Sequence, residues 1–409
     1  SYSLAADMAN KNLKWETTVT RNIGIDFGFF NSRLTGTIDA YWNTTKDLLM
    51  KTAIPGITGF TTTYANVGQT SNKGVEIALQ GVLVKNRDWN VTAGFNINFN
   101  RGKVDKLADN VTGLYGTEWA TSSTFPKSDY VLKEGRPVGL VRGLTADGFY
   151  TTDDFTYENG VYTLKKGVPD VTSAVFPNYH LHSGMNERPA GQLAYPGMAK
   201  FKDLNDDGFI NDDDVDVIGD MTPIHTGGFN INATYKNFDL GLYFNWSYGN
   251  EIYNVNKLAA LYGYKEGAVY ENKLSIVKDC YKIYDVVNGE LVALTTPEQL
   301  NAANANAKLP LAYSENGYVS TLGIEDGSYL RLNTLTLGYT LPKSVLQKAG
   351  ISNLRIYGSI YNVFTITGYS GIDAEVSTST STKTYPQLGM DWGTYPRARS
   401  FVLGVNLSF

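Results

Sequence analysis

Twelve consecutive residues, 203–214, have the spacing of a calcium-binding loop. Such a loop supplies oxygen ligands from positions 1, 3, 5, 9 and 12 and a backbone carbonyl from position 7, with glycine at position 6 for a sharp turn. Position 6 is Gly208, and the ligand positions hold Asp203, Asn205, Asp207, Phe209, Asn211 and Asp214. The sequence therefore predicts a structural Ca²⁺ ion.

Two features separate this loop from an EF-hand. Position 12 is Asp214, whose side chain is shorter than the usual glutamate, so we expect a modest affinity. The flanking segments contain Pro196-Gly197 and Thr222-Pro223, which do not favour the two helices of an EF-hand. The alternative is a solvated turn of Asp and Asn residues without an ion.

Other residue types offer little chemistry. His180 and His182 are two imidazoles without a third metal ligand, and His225 follows a proline in a structural position. The chain shows no nucleophile motif, no phosphate-binding glycine loop and no carboxylate pair whose separation can be argued. We therefore predict that it is not an enzyme.

Aromatic residues of the long connections could stack on sugar rings, although tyrosine also packs and hydrogen-bonds in such loops. The residues considered as ligand contacts are Tyr115, Trp119, Tyr150, Tyr157, Tyr162 and Tyr179.

The composition restricts the class of protein. Charged residues are 18% of the chain and aromatic residues 13%, against about 25% charged in an average protein, and glycine and tyrosine are abundant, which favours an all-β fold. A net charge of -5 without a basic cluster argues against nucleic acid as a partner. The only cysteine, Cys280, excludes an intrachain disulfide.

Strands dominate the pattern. Apolar and polar residues alternate with period two in segments that include 15–30, 33–49, 75–99, 228–248, 329–341, 354–366 and 397–409. Residues 297–308 form the one clear helix candidate, capped by Thr296.

The connections alternate between short and long. Short turns at 31–32, 85–88, 236–237 and 342–353 follow or precede long excursions at 50–69, 102–219, 257–324 and 367–394. Bacterial outer-membrane barrels have short periplasmic turns and long extracellular loops. We therefore predict an all-β fold that is part of a large antiparallel transmembrane β-barrel over 1–409, with the calcium loop in the extracellular excursion 102–219.

About nine strands can be counted, whereas single-chain bacterial barrels have an even number. If the last strand ends at the periplasm, Ser1 lies outside the cell. We expect further strands and a plug to come from sequence outside these residues.

Several motifs, in order along the chain, resemble the SusC-like TonB-dependent transporters of Bacteroidetes outer membranes. They are Asn12-Leu-Lys-Trp-Glu-Thr-Thr, Phe30-Asn-Ser-Arg-Leu, Thr45-Lys-Asp-Leu-Leu, Asn66-Val-Gly with Asn72-Lys-Gly-Val-Glu, the segment 203–223, Asp326-Gly-Ser-Tyr-Leu-Arg-Leu, Leu335-Thr-Leu-Gly-Tyr-Thr-Leu-Pro, Asn362-Val-Phe-Thr-Ile-Thr-Gly-Tyr, Tyr395-Pro-Arg and the terminal Phe409.

The resemblance implies that residues 1–409 are the C-terminal part of a plugged barrel of about 22 strands that imports oligosaccharide or peptide nutrients. It implies energy from TonB acting on the plug, a SusD-like surface lipoprotein as a lid, contact with outer-membrane lipid, and a dimer of transporter and lid pairs. Two other classes stay open at this point. One is a calcium-stabilised secreted or surface β-protein that binds glycans without transport, and the other is a barrel enzyme or autotransporter domain.

Overall fold

The structure, a computed structural model, describes residues 7–66, 68–107, 111–121, 124–176, 188–262, 273–312, 317–346, 350–378 and 387–409. Its largest element is an antiparallel sheet of nine strands whose order in space is their order in the chain. These strands are β1 (Thr17–Phe29), β2 (Leu34–Lys46), β3 (Gly68–Lys85), β4 (Trp89–Leu107), β5 (His225–Tyr235), β6 (Phe238–Tyr248), β7 (Tyr329–Thr340), β8 (Asn353–Thr367) and β9 (Ser400–Ser408). The all-β prediction is confirmed.

Register gives the sheet two faces. In the β5–β6 hairpin, Tyr235 pairs with Phe238 and His225 pairs with Tyr248. Because successive side chains of a strand point to opposite sides, residues two positions apart lie on the same face of the sheet. On one face, apolar residues such as Ile23, Ile25 and Leu403 are exposed. A continuous exposed apolar face of this kind marks a surface that contacts lipid or another protein.

Aromatic pairs stand on the apolar face at the short-turn end of the sheet. The rings of Trp89 and Tyr235 lie 4.3 Å apart, and those of Phe238 and Tyr339 lie 4.7 Å apart. Such rings at the edges of an apolar band are typical of membrane interfaces. Tyr41, by contrast, lies on the polar face, where its hydroxyl donates to Asn100 at 3.3 Å.

Three long connections, 108–224, 249–328 and 368–399, pack together into what we call the loop domain. Its core contains Tyr150, Tyr195, Phe201, Leu258 and Met390, which come from all three connections. Its short strands are Leu114–Gly116, Tyr130–Leu132, Leu140–Gly143, Ala146–Phe149, Phe155–Glu158, Val161–Leu164, Asp170–Val171, Ala199–Phe201, Phe209–Ile210, Asp216–Asp220, Glu251–Asn254, Tyr284–Val287, Glu290–Ala293, Ile324–Asp326 and Met390–Asp391. A separate small sheet contains Asp7–Met8, which precedes β1, and Leu49–Ala53 and Thr62–Asn66, which lie between β2 and β3.

Helices are short. They are α1 (Val255–Tyr262), α2 (Pro297–Asn304) and α3 (Lys343–Leu346), with 3-10 turns at Gly56–Thr58, Thr152–Asp154, Asp212–Asp214, Ser275–Asp279 and Thr321–Gly323. The Thr296 hydroxyl caps α2 by accepting from the Gln299 N–H at 3.4 Å, as predicted, but α2 ends at Asn304 rather than at 308. In the described ranges, no helix has the length and apolar character needed to cross a membrane.

Candidate functional site

The polar face of the nine-stranded sheet forms a concave recess of about 600 Å³. Polar and apolar side chains share its lining, and the polar residues include Gln80, Asn96, Asn230, Tyr243 and Asp26. Polar alternation along the strands predicts this face, because side chains at every second position point to the same side. The recess can hydrogen-bond to polar molecules or to another polypeptide.

An ion pair on this face joins two strands that are not neighbours. Arg355 of β8 donates to both carboxylate oxygens of Asp239 of β6, with a 2.8 Å contact from Nε to Oδ1. Gly338 of β7 lies between them, and a Cβ atom there would fall within 2.6 Å of the Arg355 guanidinium. The ion pair therefore depends on glycine at this position.

Residues 203–214 form a loop held by its own polar groups. Asp203 accepts from the backbone N–H groups of Asp207, at 3.3 Å, and Gly208, at 2.7 Å. Asp207 Oδ2 accepts from the side-chain amides of Asn205 and Asn211 at 3.0 and 3.1 Å. Gly208 has a φ of +86°, which suits the sharp turn predicted at position 6.

Asp207 carries a negative charge in this loop. The backbone N–H of Phe209 and, next, the amide of Asn205 lower the pKa of Asp207, so this carboxylate is ionised at neutral pH. Phe209 itself lies in a two-residue strand that pairs with Asp170–Val171 and joins the loop to the rest of the loop domain. Asp203, Asn205 and Asp207 thus offer a donor set that fits Ca²⁺.

Asp214 has a different position from the one expected. Its carboxylate is fully buried and accepts from the N–H of Leu204 at 2.7 Å and of Asn211 at 2.8 Å. Both oxygens therefore connect the two ends of the loop, and bidentate closure on an ion is not what these contacts provide. Across the described ranges, no three His, Cys, Asp or Glu side chains form a metal-binding group, so any ion depends on asparagine and backbone oxygens as well.

Comparison with known proteins places this fold. The family model described as "TonB dependent receptor-like, beta-barrel" matches residues 2–185. TonB-dependent receptor P3 of Formosa agariphila is 31% identical over 408 residues, which is 98% of this chain and 35% of that protein. Over nearly its whole length the chain is similar to TonB-dependent receptors.

Two further relatives define the kind of receptor. TonB-dependent receptor SusC of Bacteroides thetaiotaomicron is 27% identical over 98% of this chain and 32% of its own length. A solved structure of the RagAB peptide importer in its closed-closed state superposes with a TM-score of 0.69 at 25% identity, covering 100% of this chain and 37% of that chain. The chain spans about a third of the length of these relatives and carries part of an outer-membrane β-barrel.

Two of the predicted sugar contacts belong to the core of the loop domain. Tyr150 and Tyr162 are fully buried, and their hydroxyls donate to the carbonyls of Pro169 at 2.6 Å and Thr295 at 3.0 Å. Neither ring has a face open to a ligand, which corrects their prediction as surface contacts. A tyrosine can be buried in a core when its hydroxyl donates to a carbonyl, and it can also stack on a sugar at the surface. The sequence alone does not distinguish these two roles.

The other predicted aromatics are more accessible. Tyr115 is half exposed, with the Arg142 guanidinium 4.8 Å from its ring centre. Trp119 and Tyr157 are partly buried against the core. Tyr179 lies outside the described residues, as do His180 and His182. Of this set, Tyr115 has the most open ring.

A buried arginine that sequence reasoning did not single out fixes the third long connection to the barrel. Arg331 of β7 has only 3% of its side chain exposed, and it pairs with Asp373 and, at 3.1 Å, with Glu375. Arg397 contacts the same two acids at 3.6 and 3.0 Å. Both arginines belong to motifs that carry the family resemblance. The sequence does not show that they pair with these two acids.

Proposed function

We propose that the complete protein containing this chain imports a nutrient across the bacterial outer membrane, with energy supplied through TonB. The observation that carries the proposal is the pairing of an exposed apolar face with a polar recess on the same strands, under a folded loop domain. The apolar face suits lipid, and the polar face suits a wet passage. The names of the relatives, receptors and a peptide importer, support the same class rather than an enzyme.

The cargo in this proposal is an oligosaccharide or a peptide, caught between the loop domain and a SusD-like surface lipoprotein that acts as a lid. Structural similarity to the RagAB peptide importer supports a peptide cargo, whereas the oligosaccharide cargo and the lid follow from the motif resemblance to SusC-like transporters. The plug on which TonB acts belongs to sequence outside this chain. We further propose that two transporter and lid pairs form a dimer.

Calcium has a supporting role in this proposal. An ion at Asp203, Asn205 and Asp207 would order the loop on which Phe209–Ile210 pairs with Asp170–Val171. Extracellular calcium modules bind at about 10⁻⁴ to 10⁻³ M, so calcium outside the cell would keep such a site filled. Its function would be to stabilise the surface that meets the lid.

Uptake and partner analysis test this function together. The gene for the complete protein is deleted, and uptake of labelled oligosaccharides and peptides is compared with that of a strain lacking TonB. We expect both strains to lose uptake of the same cargo, and native purification to recover a surface lipoprotein. Uptake that persists without TonB, or hydrolysis of the cargo by the purified protein alone, would contradict the proposal.

A further inference from the structure

Four residues form a continuous row across β1 to β4 on the apolar face of the sheet. Arg21 lies opposite Trp42, Trp42 opposite Lys73, and Lys73 opposite Arg101. Neighbouring strands are about 4.8 Å apart, so the row is about 14 Å long. All three cations are exposed, and we call these four residues the basic row.

The basic row stands where the apolar band ends on β2, β3 and β4. Two residues from the row toward the short turns, the outward side chains of the four strands are Ile23, Ala40, Val75 and Phe99. Two residues from the row toward the long connections, the outward side chains are Val19, Thr44, Ser71 and Lys103. Side chains thus change from apolar to mainly polar at the row, which indicates the boundary of the hydrocarbon layer.

The length of the band agrees with this position. On β4 the outward residues are apolar from Trp89 to Phe99. Ten residues at about 3.3 Å each, tilted by about 40°, span about 25 Å along the membrane normal, which is the height of the apolar band of such barrels. Trp89 would then mark one interface and the basic row the other.

The positive charge of the row is not neutralised within the chain. No carboxylate in the described ranges forms an ion pair with Arg21, Lys73 or Arg101. Arg101 donates only to the backbone carbonyls of Asn100, at 3.1 Å, and Pro223, at 2.6 Å. The nearest acid on the outward face, Asp105, is bound by Lys103 at 3.2 Å.

Apart from Asp105, the acidic side chains of the same strands lie on the opposite face. Asp39 pairs with Gly24 on one side and with Glu76 on the other. These three positions lie on the face opposite the one that carries Trp42 and Lys73. The outward surface of β1 to β4 is therefore cationic at one level, with a tryptophan between the charges. Arginine and lysine at such a boundary attract phosphate groups of anionic lipids, and arginine can bind phosphate in a bidentate manner.

We propose that the basic row binds the phosphate groups of lipid A, the glycolipid of the outer leaflet. The long connections place the row at the outer boundary, because such connections are extracellular in outer-membrane barrels. A row about 14 Å long can reach phosphates at both ends of a disaccharide head group. This inference depends on the orientation of the barrel and not on the import proposal.

Native mass spectrometry of the complete protein in detergent tests the row. The probes are diphosphoryl lipid A, its dephosphorylated form and phosphatidylglycerol, each titrated into the protein. The row variant is Arg21→Gln, Lys73→Gln and Arg101→Gln. The matched control, Lys85→Gln, Arg87→Gln and Lys236→Gln, removes the same charge at the short turns.

We expect the row variant to bind diphosphoryl lipid A roughly tenfold more weakly or worse, and the control to bind within about twofold of the native protein. The native protein should also prefer the diphosphoryl form to the dephosphorylated form, a comparison that needs no variant to fold. Equal binding of the two lipid A forms, or of phosphatidylglycerol and lipid A, would overturn the proposal. Cargo uptake by the row variant separates this result from the import function.

Discussion

Asp203 and Asp207 carry the negative charge closest to the position proposed for calcium, and their charge governs ion affinity at a loop of this type. Replacing both by asparagine keeps an acceptor at each position but removes two charges. We expect calcium affinity to fall by at least about tenfold, or ~1.4 kcal/mol, measured by isothermal titration calorimetry. Protease cleavage within 102–219 should then become independent of chelator.

Asp206 and Asp212 provide the matched control, because they occupy positions 4 and 10, which supply no ligand. Asp206 has a φ of +58°, and asparagine tolerates this conformation. The variant Asp206→Asn with Asp212→Asn should retain most of the affinity. If both double variants weaken binding equally, the loop attracts calcium only through its total charge.

Cys280 is protected from thiol reagents. Its side chain is buried between the core of the loop domain and the 3-10 turn Ser275–Asp279, and burial raises the pKa of its thiol to about 11. Since the thiolate is the reactive form, we expect no labelling by maleimide at pH 7.5 in the folded protein and complete labelling in denaturant. Rapid labelling of folded protein would mean that this part of the core opens.

Gly338 shows how one position of a strand controls its two neighbours. Because a Cβ atom there would displace the ends of the Asp239 and Arg355 side chains, Gly338→Ala should separate the ion pair and cost up to about 1 kcal/mol, seen as a lower thermal midpoint in detergent. Gly358→Ala on β8 is the control, because its Cβ would meet Leu403 at an ordinary 3.5 Å. A control as destabilised as Gly338→Ala would remove the ion pair from the explanation.

Glu251 faces a like charge across a short sheet. It lies directly opposite Asp326, and it accepts from the Asp220 N–H at 2.7 Å. Burial raises the pKa of Glu251, and the charges of Asp220 and Asp326 raise it further, against the lowering effect of that N–H. The folded state therefore binds a proton more tightly than the unfolded state. The contribution of Glu251 to the stability of the protein is lost as pH rises from the unfolded pKa through the folded pKa.

The variant Glu251→Gln removes this charge and keeps an acceptor for the Asp220 N–H. We expect its thermal midpoint to exceed that of the native protein at pH 7, with the difference vanishing below about pH 4, where a glutamate is protonated in either state. Glu290→Gln, an exposed change on another short strand, should have no such pH-dependent effect. A gain for Glu251→Gln that is constant with pH would exclude the charge as its cause.

The nine strands could be predicted because their signal is local. Alternation along β9, with Phe401 and Leu403 on one face, needs no knowledge of distant residues. The Asp239–Arg355 ion pair could not be predicted, since it requires the register of three strands over 116 positions of sequence. The calcium loop occupies the middle case, because its spacing is local but the burial of Asp214 depends on surrounding structure.

The molecule combines two parts whose stability has different sources. The barrel sheet is stabilised by cross-strand pairing and by lipid on its apolar face, whereas the loop domain has an interior core of its own. Phe201 of the first long connection packs on Tyr318 of the second, with ring centres 5.1 Å apart. The short strands of this domain have no sustained period, which is why the sequence suggested only extended loops.

Leu258 of α1 tests whether the loop domain unfolds independently of the barrel. Its side chain is fully buried, and a Cβ at Gly323 would come within 2.6 Å of it, so the site is tightly packed. Leu258→Ala should destabilise the domain by about 2–5 kcal/mol, because it leaves a cavity. We expect rapid protease cleavage in the long connections and loss of the lid protein, while the barrel keeps a gel mobility that changes on heating. Leu291→Ala, at a side chain that is 69% exposed, is the matched control and should alter neither property. Barrel unfolding in step with the loop domain would show instead that the two parts form one cooperative unit.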